Sequence, residues 1–128
     1  MIERSAAVRA RAAALMAEVL TGGTLTVYDG SRPAPDAPAT GIALATFDVG
    51  PCVLHEPGVV ITHEVVPRPG LLRAGRAVWF RVTDASGAPV LDGDVGEPGS
   101  AAADLEVPHA TLTPAMRLTI PQLVYSEV

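Results

Sequence analysis

The clearest alternation of apolar and polar positions lies between Arg76 and Gly96, RAVWFRVTDASGAPVLDGDVG. One face of its first half carries Val78, Phe80 and Val82, and the opposite face carries Trp79, Arg81 and Thr83. A period of two is typical of a half-buried strand. The small and polar residues 84–89, DASGAP, favour a turn, and the apolar content resumes with Val90 and Leu91. The segment therefore predicts a β-hairpin.

A different period, close to that of a helix, governs residues 5–20, SAAVRARAAALMAEVL. Most of these residues are good helix formers, Ser5 is a candidate N-cap, and Gly22 with Gly23 predicts the stop and a flexible joint. One apolar stripe, here named the helix stripe, consists of Val8, Ala12, Leu15 and Val19. Another face holds Arg4, Arg11 and Glu18. The helix stripe either packs on the chain's own domain or forms an oligomer contact.

The remainder reads as short strands separated by proline and glycine. Strands are predicted at residues 24–28, 42–47, 52–54, 58–66, 104–107 and 116–125. Residues 29–41 form a loop of partly polyproline character, and Pro121 predicts an edge position or a bulge. About eight short strands without βαβ spacing favour one β-sandwich or jelly-roll domain. We expect residues 1–23 to form the helix with its glycine joint and residues 24–128 the β domain.

Composition narrows the class of protein. A chain of 128 residues that is 48% hydrophobic has the size of one globular domain. Its net charge of −5 and the irregular spacing of its arginines argue against nucleic acid or anionic membrane as partners. The single cysteine, Cys52, suits a reducing compartment. The apolar run at residues 12–17 is too short for a signal peptide or a membrane span, so we expect a mature, soluble protein.

The candidate metal ligands do not form a recognisable pattern. The pairs His55–Glu56 and His63–Glu64 match no HExxH motif, and adjacent strand residues point to opposite faces. The acidic residues Asp92, Asp94, Glu97 and Asp104 begin like a calcium loop, but the later positions of that pattern are missing. We therefore expect no metal site and no cofactor.

Catalytic machinery is not predicted either. The chain has no G-x-S-x-G elbow, no glycine-rich phosphate loop and few aromatic residues to line a sugar cleft. We expect no catalytic residue and no enzymatic activity. Trp79 and Arg81 are residue types enriched at protein interfaces; they either lie on an outer contact face or are covered by the chain itself. The interface candidates are Val8, Leu15, Val19, Trp79 and Arg81.

Residues 25–120 resemble a set of small structural proteins of tailed bacteriophages. The resemblance is carried by LTVYDGSRPAPDAPATGIALATF, by GRAVWFRVTDASGAPVLDGDVG, and by the later ADLEV and LTI segments. It implies a non-enzymatic virion component of the tail, neck or head surface that forms a symmetric multimer, contacts other virion proteins and is assembled in the host bacterial cytoplasm. The alternative is a ligand- or carbohydrate-binding β-sandwich module, such as a receptor-binding piece, with an exposed aromatic platform near Trp79 or Tyr28.

Overall fold

The computed structural model describes residues 2–68, 73–99, 104–114, 118–120 and 122–126. One helix, α1 (Ala6–Leu20), precedes the strands. The described strands are β1 (Thr24–Tyr28), β2 (Ala43–Val49), β3 (Val53–Glu56), β4 (Val59–Thr62), β5 (Val65–Pro67), β6 (Gly75–Arg76), β7 (Trp79–Thr83), β8 (Pro89–Gly96), β9 (Leu105–Glu106), β10 (Thr111–Leu112) and β11 (Leu123–Ser126). The mainly β class with one N-terminal helix is confirmed.

Both ends of α1 follow from its local sequence. The Ser5 hydroxyl accepts a hydrogen bond from the backbone N–H of Val8 at 3.2 Å, so the predicted N-cap is confirmed. The helix ends at Leu20, and Gly22 adopts a φ of 76° that favours glycine. The joint is tied to the sheet, because Gly22 N–H donates to Val49 O and Val49 N–H donates to Gly23 O.

The largest sheet has six strands in the order β5-β2-β1-β7-β8-β9. Its described pairings are antiparallel except for the parallel pair β8–β9. Directly opposed residues share a face, so Leu25 aligns with Phe47 on one side and with Val82 on the other. The inner face of the sheet is closed to solvent, and it includes Leu25, Val27, Phe47, Phe80 and Val82.

Two smaller sheets and the helix cover that inner face. They are the three-stranded sheet β11-β4-β3 and the two-stranded sheet β10-β6. Residues of the later chain join the main core, among them Leu112, Leu118, Ile120 and Leu123, and Leu20 joins it from the helix. The arrangement is β-sandwich-like, as predicted, because the apolar faces of separate sheets meet across one core.

The hairpin turn is confirmed in detail. Asp84 N–H donates to Ala88 O, and Gly87 has a φ of 90°. The Asp84 carboxylate accepts hydrogen bonds from Ser86 N, Ser86 Oγ and Ala88 N at 2.9, 2.6 and 3.0 Å. These bonds, led by the one from the Ser86 hydroxyl, lower the pKa of Asp84 below its ordinary value. The strand before the turn differs from the prediction, since β7 begins only at Trp79 and Val78 is 36% exposed.

The number and limits of several other strands differ from the prediction of about eight. Residues 58–66 form two strands, because the Thr62 hydroxyl accepts from Glu64 N–H at 3.3 Å and the chain passes from the three-stranded to the six-stranded sheet. The two-residue strands β6 and β10, which pair with each other, are not among the predicted strands. In the last predicted strand, Met116 and Pro121 lie outside the described residues, and β11 begins at Leu123.

Candidate functional site

The sequence-predicted interface residues divide between two surfaces. Trp79 and Arg81 lie on the outer face of the six-stranded sheet, while Val8, Leu15 and Val19 lie on α1. On the sheet, two rows cross the central strands: Tyr28–Trp79–Asp94 and Thr26–Arg81–Asp92. Residues 29–42, here named the proline loop, extend from β1 to β2 over these rows. The geometry under the loop decides whether Trp79 and Arg81 are available to a partner.

Arg81 and Asp92 form a buried, two-pronged ion pair. Arg81 Nε donates to Asp92 Oδ1 at 2.7 Å, and Nη2 donates to Oδ2 at 3.0 Å. Their side chains are 5% and 4% exposed. The hydrogen bond to Asp92 raises the pKa of Arg81 above its ordinary value, while burial acts in the opposite direction. Arg81 also donates to two carbonyls of the proline loop, Ala37 O at 2.7 Å and Pro35 O at 3.3 Å.

The proline loop is held by the neighbouring aromatic pair as well. Trp79 stacks on Tyr28 with 4.5 Å between ring centroids, and its indole N–H donates to Asp29 O at 3.1 Å. The Asp29 carboxylate in turn accepts from Ile42 N–H at 2.6 Å, which closes the base of the loop. Within the loop, Ala37 N–H donates to Ala34 O at 2.9 Å. This bond forms a turn at residues 34–37 inside the predicted loop.

These contacts resolve the two readings of Trp79 and Arg81 in favour of cover by their own chain. Trp79 is 0% exposed and Arg81 is 5% exposed. Both residues lie on the outer face of the sheet, but this face is not open to solvent there, because the proline loop forms a layer above it. The exposed aromatic platform that the carbohydrate-binding reading requires at Trp79 is absent, and Tyr28 is half-buried against that ring.

Two residues of the helix stripe, Val8 and Leu15, are exposed, while Ala12 and Val19 are half-buried. The helix packs on its own domain, but through small residues on its other side: Ala13 and Ala17 lie against Val60 of β4. Val8 is 48% exposed and Leu15 is 61% exposed, whereas Ala13 is fully buried. Of the two alternatives for the helix stripe, packing on the chain's own domain does not describe Val8 and Leu15, and an oligomer contact stays a prediction. Alanine methyls let the helix backbone approach the sheet closely, and the bulkier stripe is turned outward.

The candidate metal ligands are dispersed. Asp92 is bound to Arg81, Asp94 lies 3.6 Å from Arg32, and Asp104 accepts a hydrogen bond from the Asp94 backbone at 2.9 Å. The three histidines His55, His63 and His109 are exposed. Within the described residues, no group of three or more His, Cys, Asp or Glu side chains is placed to hold a metal ion.

The chain has one thiol, Cys52, and an open groove lies beside β8 and β11. Burial raises the pKa of the Cys52 thiol above its ordinary value, and its sulfur donates to Gly50 O at 3.5 Å. A raised pKa favours the inert thiol over the nucleophilic thiolate. An open groove of about 570 Å³ is lined partly by Arg32, Asp104 and Tyr125. Its lining also includes Asp92, whose carboxylate is bound to Arg81.

No protein-family model, curated protein or solved structure matches the chain. Across the described residues, α1 included, the structure has no helix with the length and apolar character needed to span a membrane. The surfaces of the chain itself are therefore the available indications of its function. Of these, the helix stripe is the sequence-predicted contact surface that stays accessible.

Proposed function

We propose that the protein is a non-enzymatic structural component of a tailed phage or phage-like particle, where it mediates assembly contacts in the tail, neck or head surface. The observation that carries the proposal is the helix stripe, with Val8 and Leu15 roughly half or more exposed on an anchored helix. Exposed apolar surface on a fixed element is a common feature of protein contact sites. The resemblance of residues 25–120 to tailed-phage structural proteins supports the virion setting.

The use of the polar residues inside the fold supports a structural role. Arg81 and Asp92, whose side chains are 5% and 4% exposed, connect the sheet to the proline loop. Asp84 organises the hairpin turn through three hydrogen bonds. These groups act in holding the fold together, and a well-held fold suits a subunit that must present the same surface in every copy.

Mass spectrometry of purified particles tests the proposal. Particles released from the source bacterium and purified by density gradient should contain the protein in several copies per particle, at a constant ratio to the major capsid protein. A phage lysis protein from the same lysate serves as the control, because it is expected in the soluble fraction alone.

The proposal fails if the protein stays in the soluble fraction with the lysis protein, or if no particles are released and the flanking genes encode unrelated metabolic enzymes. Flanking portal, capsid or tail genes are the expected arrangement. A catalytic activity of the purified chain would likewise contradict the non-enzymatic role.

A further inference from the structure

We propose that the partner of the helix stripe is a second copy of this chain, with two α1 helices packed antiparallel about a twofold axis. The inference rests on the proposed assembly function, for which it names one partner and one surface. It begins from the two faces of α1. Ala13, Ala17 and Leu20 fix the helix to its own domain, while Val8 and Leu15 point away from it.

The apolar residues of the stripe are complementary to themselves in this arrangement. Val8, Ala12, Leu15 and Val19 follow the 4-3-4 spacing of a helix-packing seam. When the helices run antiparallel with the twofold axis near the middle of the stripe, Val8 of one copy faces Val19 of the other. Ala12 then faces Leu15, so a small residue lies opposite a large one at both central layers. Each contact occurs twice, as a twofold interface requires.

The charges beside the stripe select the antiparallel direction. Arg11 and Glu18 are both exposed and stand seven residues apart on the same flank of the helix. In the antiparallel pair, Arg11 of each copy lies within about one turn of Glu18 of the other copy. Two opposite-charge contacts result. In a parallel pair, identical residues lie at the same height and this reciprocal pairing is lost. Charged positions flanking a helix seam are known to set orientation in this way.

The size of the surface sets the expected strength. A 15-residue helix is about 22 Å long, so one helix pair buries less than the roughly 1,200 Å² at which stable interfaces begin. The stripe is already held in place by the packed side of α1, so little ordering cost opposes association. We therefore expect a reversible dimer with a dissociation constant in about the micromolar range, reinforced by other contacts in a particle.

Sedimentation velocity of the full chain over a range of concentrations measures this association. The Leu15→Glu variant should weaken it by about tenfold or more, because a charge replaces a central apolar contact. Since Leu15 is 61% exposed, the variant should keep the native thermal unfolding midpoint. Val66→Glu is the matched control: Val66 is 56% exposed on strand β5, away from the helix, and its substitution should leave the association unchanged.

A charge exchange tests the pairing of Arg11 with Glu18. The single substitutions Arg11→Glu and Glu18→Arg each place like charges together at both ends of the seam, and each should weaken the dimer several-fold. The double substitution Arg11→Glu with Glu18→Arg restores opposite charges and should return the dissociation constant to near the original value. The rescue distinguishes a specific contact from general surface-charge effects.

Spin labels then report the direction of the helices. With Cys52→Ala as background, a label at Ala7→Cys should give a distance of about 20 Å or more between copies in the antiparallel pair. A parallel pair would bring the labels to about the interaxial distance of 10 Å. The shorter distance would overturn the proposed direction.

Three results would overturn the inference as a whole: a monomer at every concentration up to the millimolar range, a dimer unaffected by Leu15→Glu, or no rescue by the double charge exchange. None of these results decides the outcome of the particle experiment. A protein found in particles but monomeric in solution would keep the assembly function and remove this partner. A protein that dimerises in solution but is absent from particles would keep this partner and remove the assembly function.

Discussion

The guanidinium of Arg81 is almost wholly removed from water, yet each direction of its fork meets an acceptor. Asp92 accepts from Nε and Nη2, and the proline-loop carbonyls of Ala37 and Pro35 accept from Nη1 and Nη2. The cation also lies 5.4 Å from the centre of the Trp79 ring. Removing two charges from water is costly, and good hydrogen-bond geometry offsets that cost. Loss of either partner therefore leaves an uncompensated charge.

We expect Arg81→Met and Asp92→Leu each to lower the free energy of unfolding by about 3–5 kcal/mol. The double variant should lose much less than the sum of the two single losses, because neither charge is then left alone. Urea denaturation of the four proteins measures the coupling. Arg81→Lys is the control for charge. It keeps the positive charge but loses the two-pronged guanidinium geometry, so it should also lower the free energy of unfolding. Additive single effects would contradict the buried pair.

At the scale of elements, the junction between α1 and β1 contains two adjacent glycines that are required for different structural reasons. Gly22 has a φ of 76°, and a Cβ there would meet no atom within 4 Å. Gly23 is buried, and a Cβ there would collide with the backbone oxygen of Thr83 and come within 3.0 Å of Leu20 O. Gly22 allows the left-handed backbone conformation, and Gly23 allows the end of the helix to pack closely on β7.

The substitution Gly23→Ala should therefore destabilise the protein more than Gly22→Ala. We expect about 1 kcal/mol for Gly22→Ala, from the left-handed φ, and about 2–3 kcal/mol for Gly23→Ala, where backbone must move to relieve the overlap. Thermal and urea unfolding of the two variants compare the costs directly. Equal or reversed costs would show that the junction adjusts without strain on β7.

For the whole molecule, the helix is part of the packing although it precedes the β domain. Leu20 is 1% exposed within the main core, and Ala13 and Ala17 cover Val60. The first strand, β1, begins at Thr24, directly after the glycine joint. Whether the second segment folds by itself is a separate question, and the packing indicates that it needs the helix.

Deletion of residues 1–20 should lower the thermal unfolding midpoint strongly or prevent folding, because it opens the main core at Leu20 and uncovers Val60. Removing residues 1–4, which leaves the Ser5 cap in place, is the control and should have a small effect. Circular dichroism melting measures both. A truncated chain that melts at the original temperature would establish the β domain as independent.

Much of the fold was predictable because it depends on neighbours in sequence. The N-cap at Ser5, the glycine stop and the turn at residues 84–88 are local hydrogen-bonding solutions, and all three are confirmed. The partner of Arg81 does not follow from the turn in the same way. Continuing the register of the Thr83–Pro89 pair would place Leu91 opposite Arg81, and a bulge between Val82 and Thr83 shifts the register so that Asp92 lies there instead.

The periodicity of the chain determined which residues share a face, and tertiary packing decided what each face meets. The stripe of Val8, Ala12, Leu15 and Val19 is a property of the sequence alone. Its outward position depends on the close approach to the sheet that Ala13 and Ala17 allow. By hydrophobicity alone, the stripe of larger apolar residues would have been expected to pack against the sheet instead. Likewise, alternation placed Trp79 and Arg81 together, but a loop whose contacts come from 44 and 50 residues earlier in the chain buried them. Local patterns cannot encode a contact whose partner is supplied by distant chain.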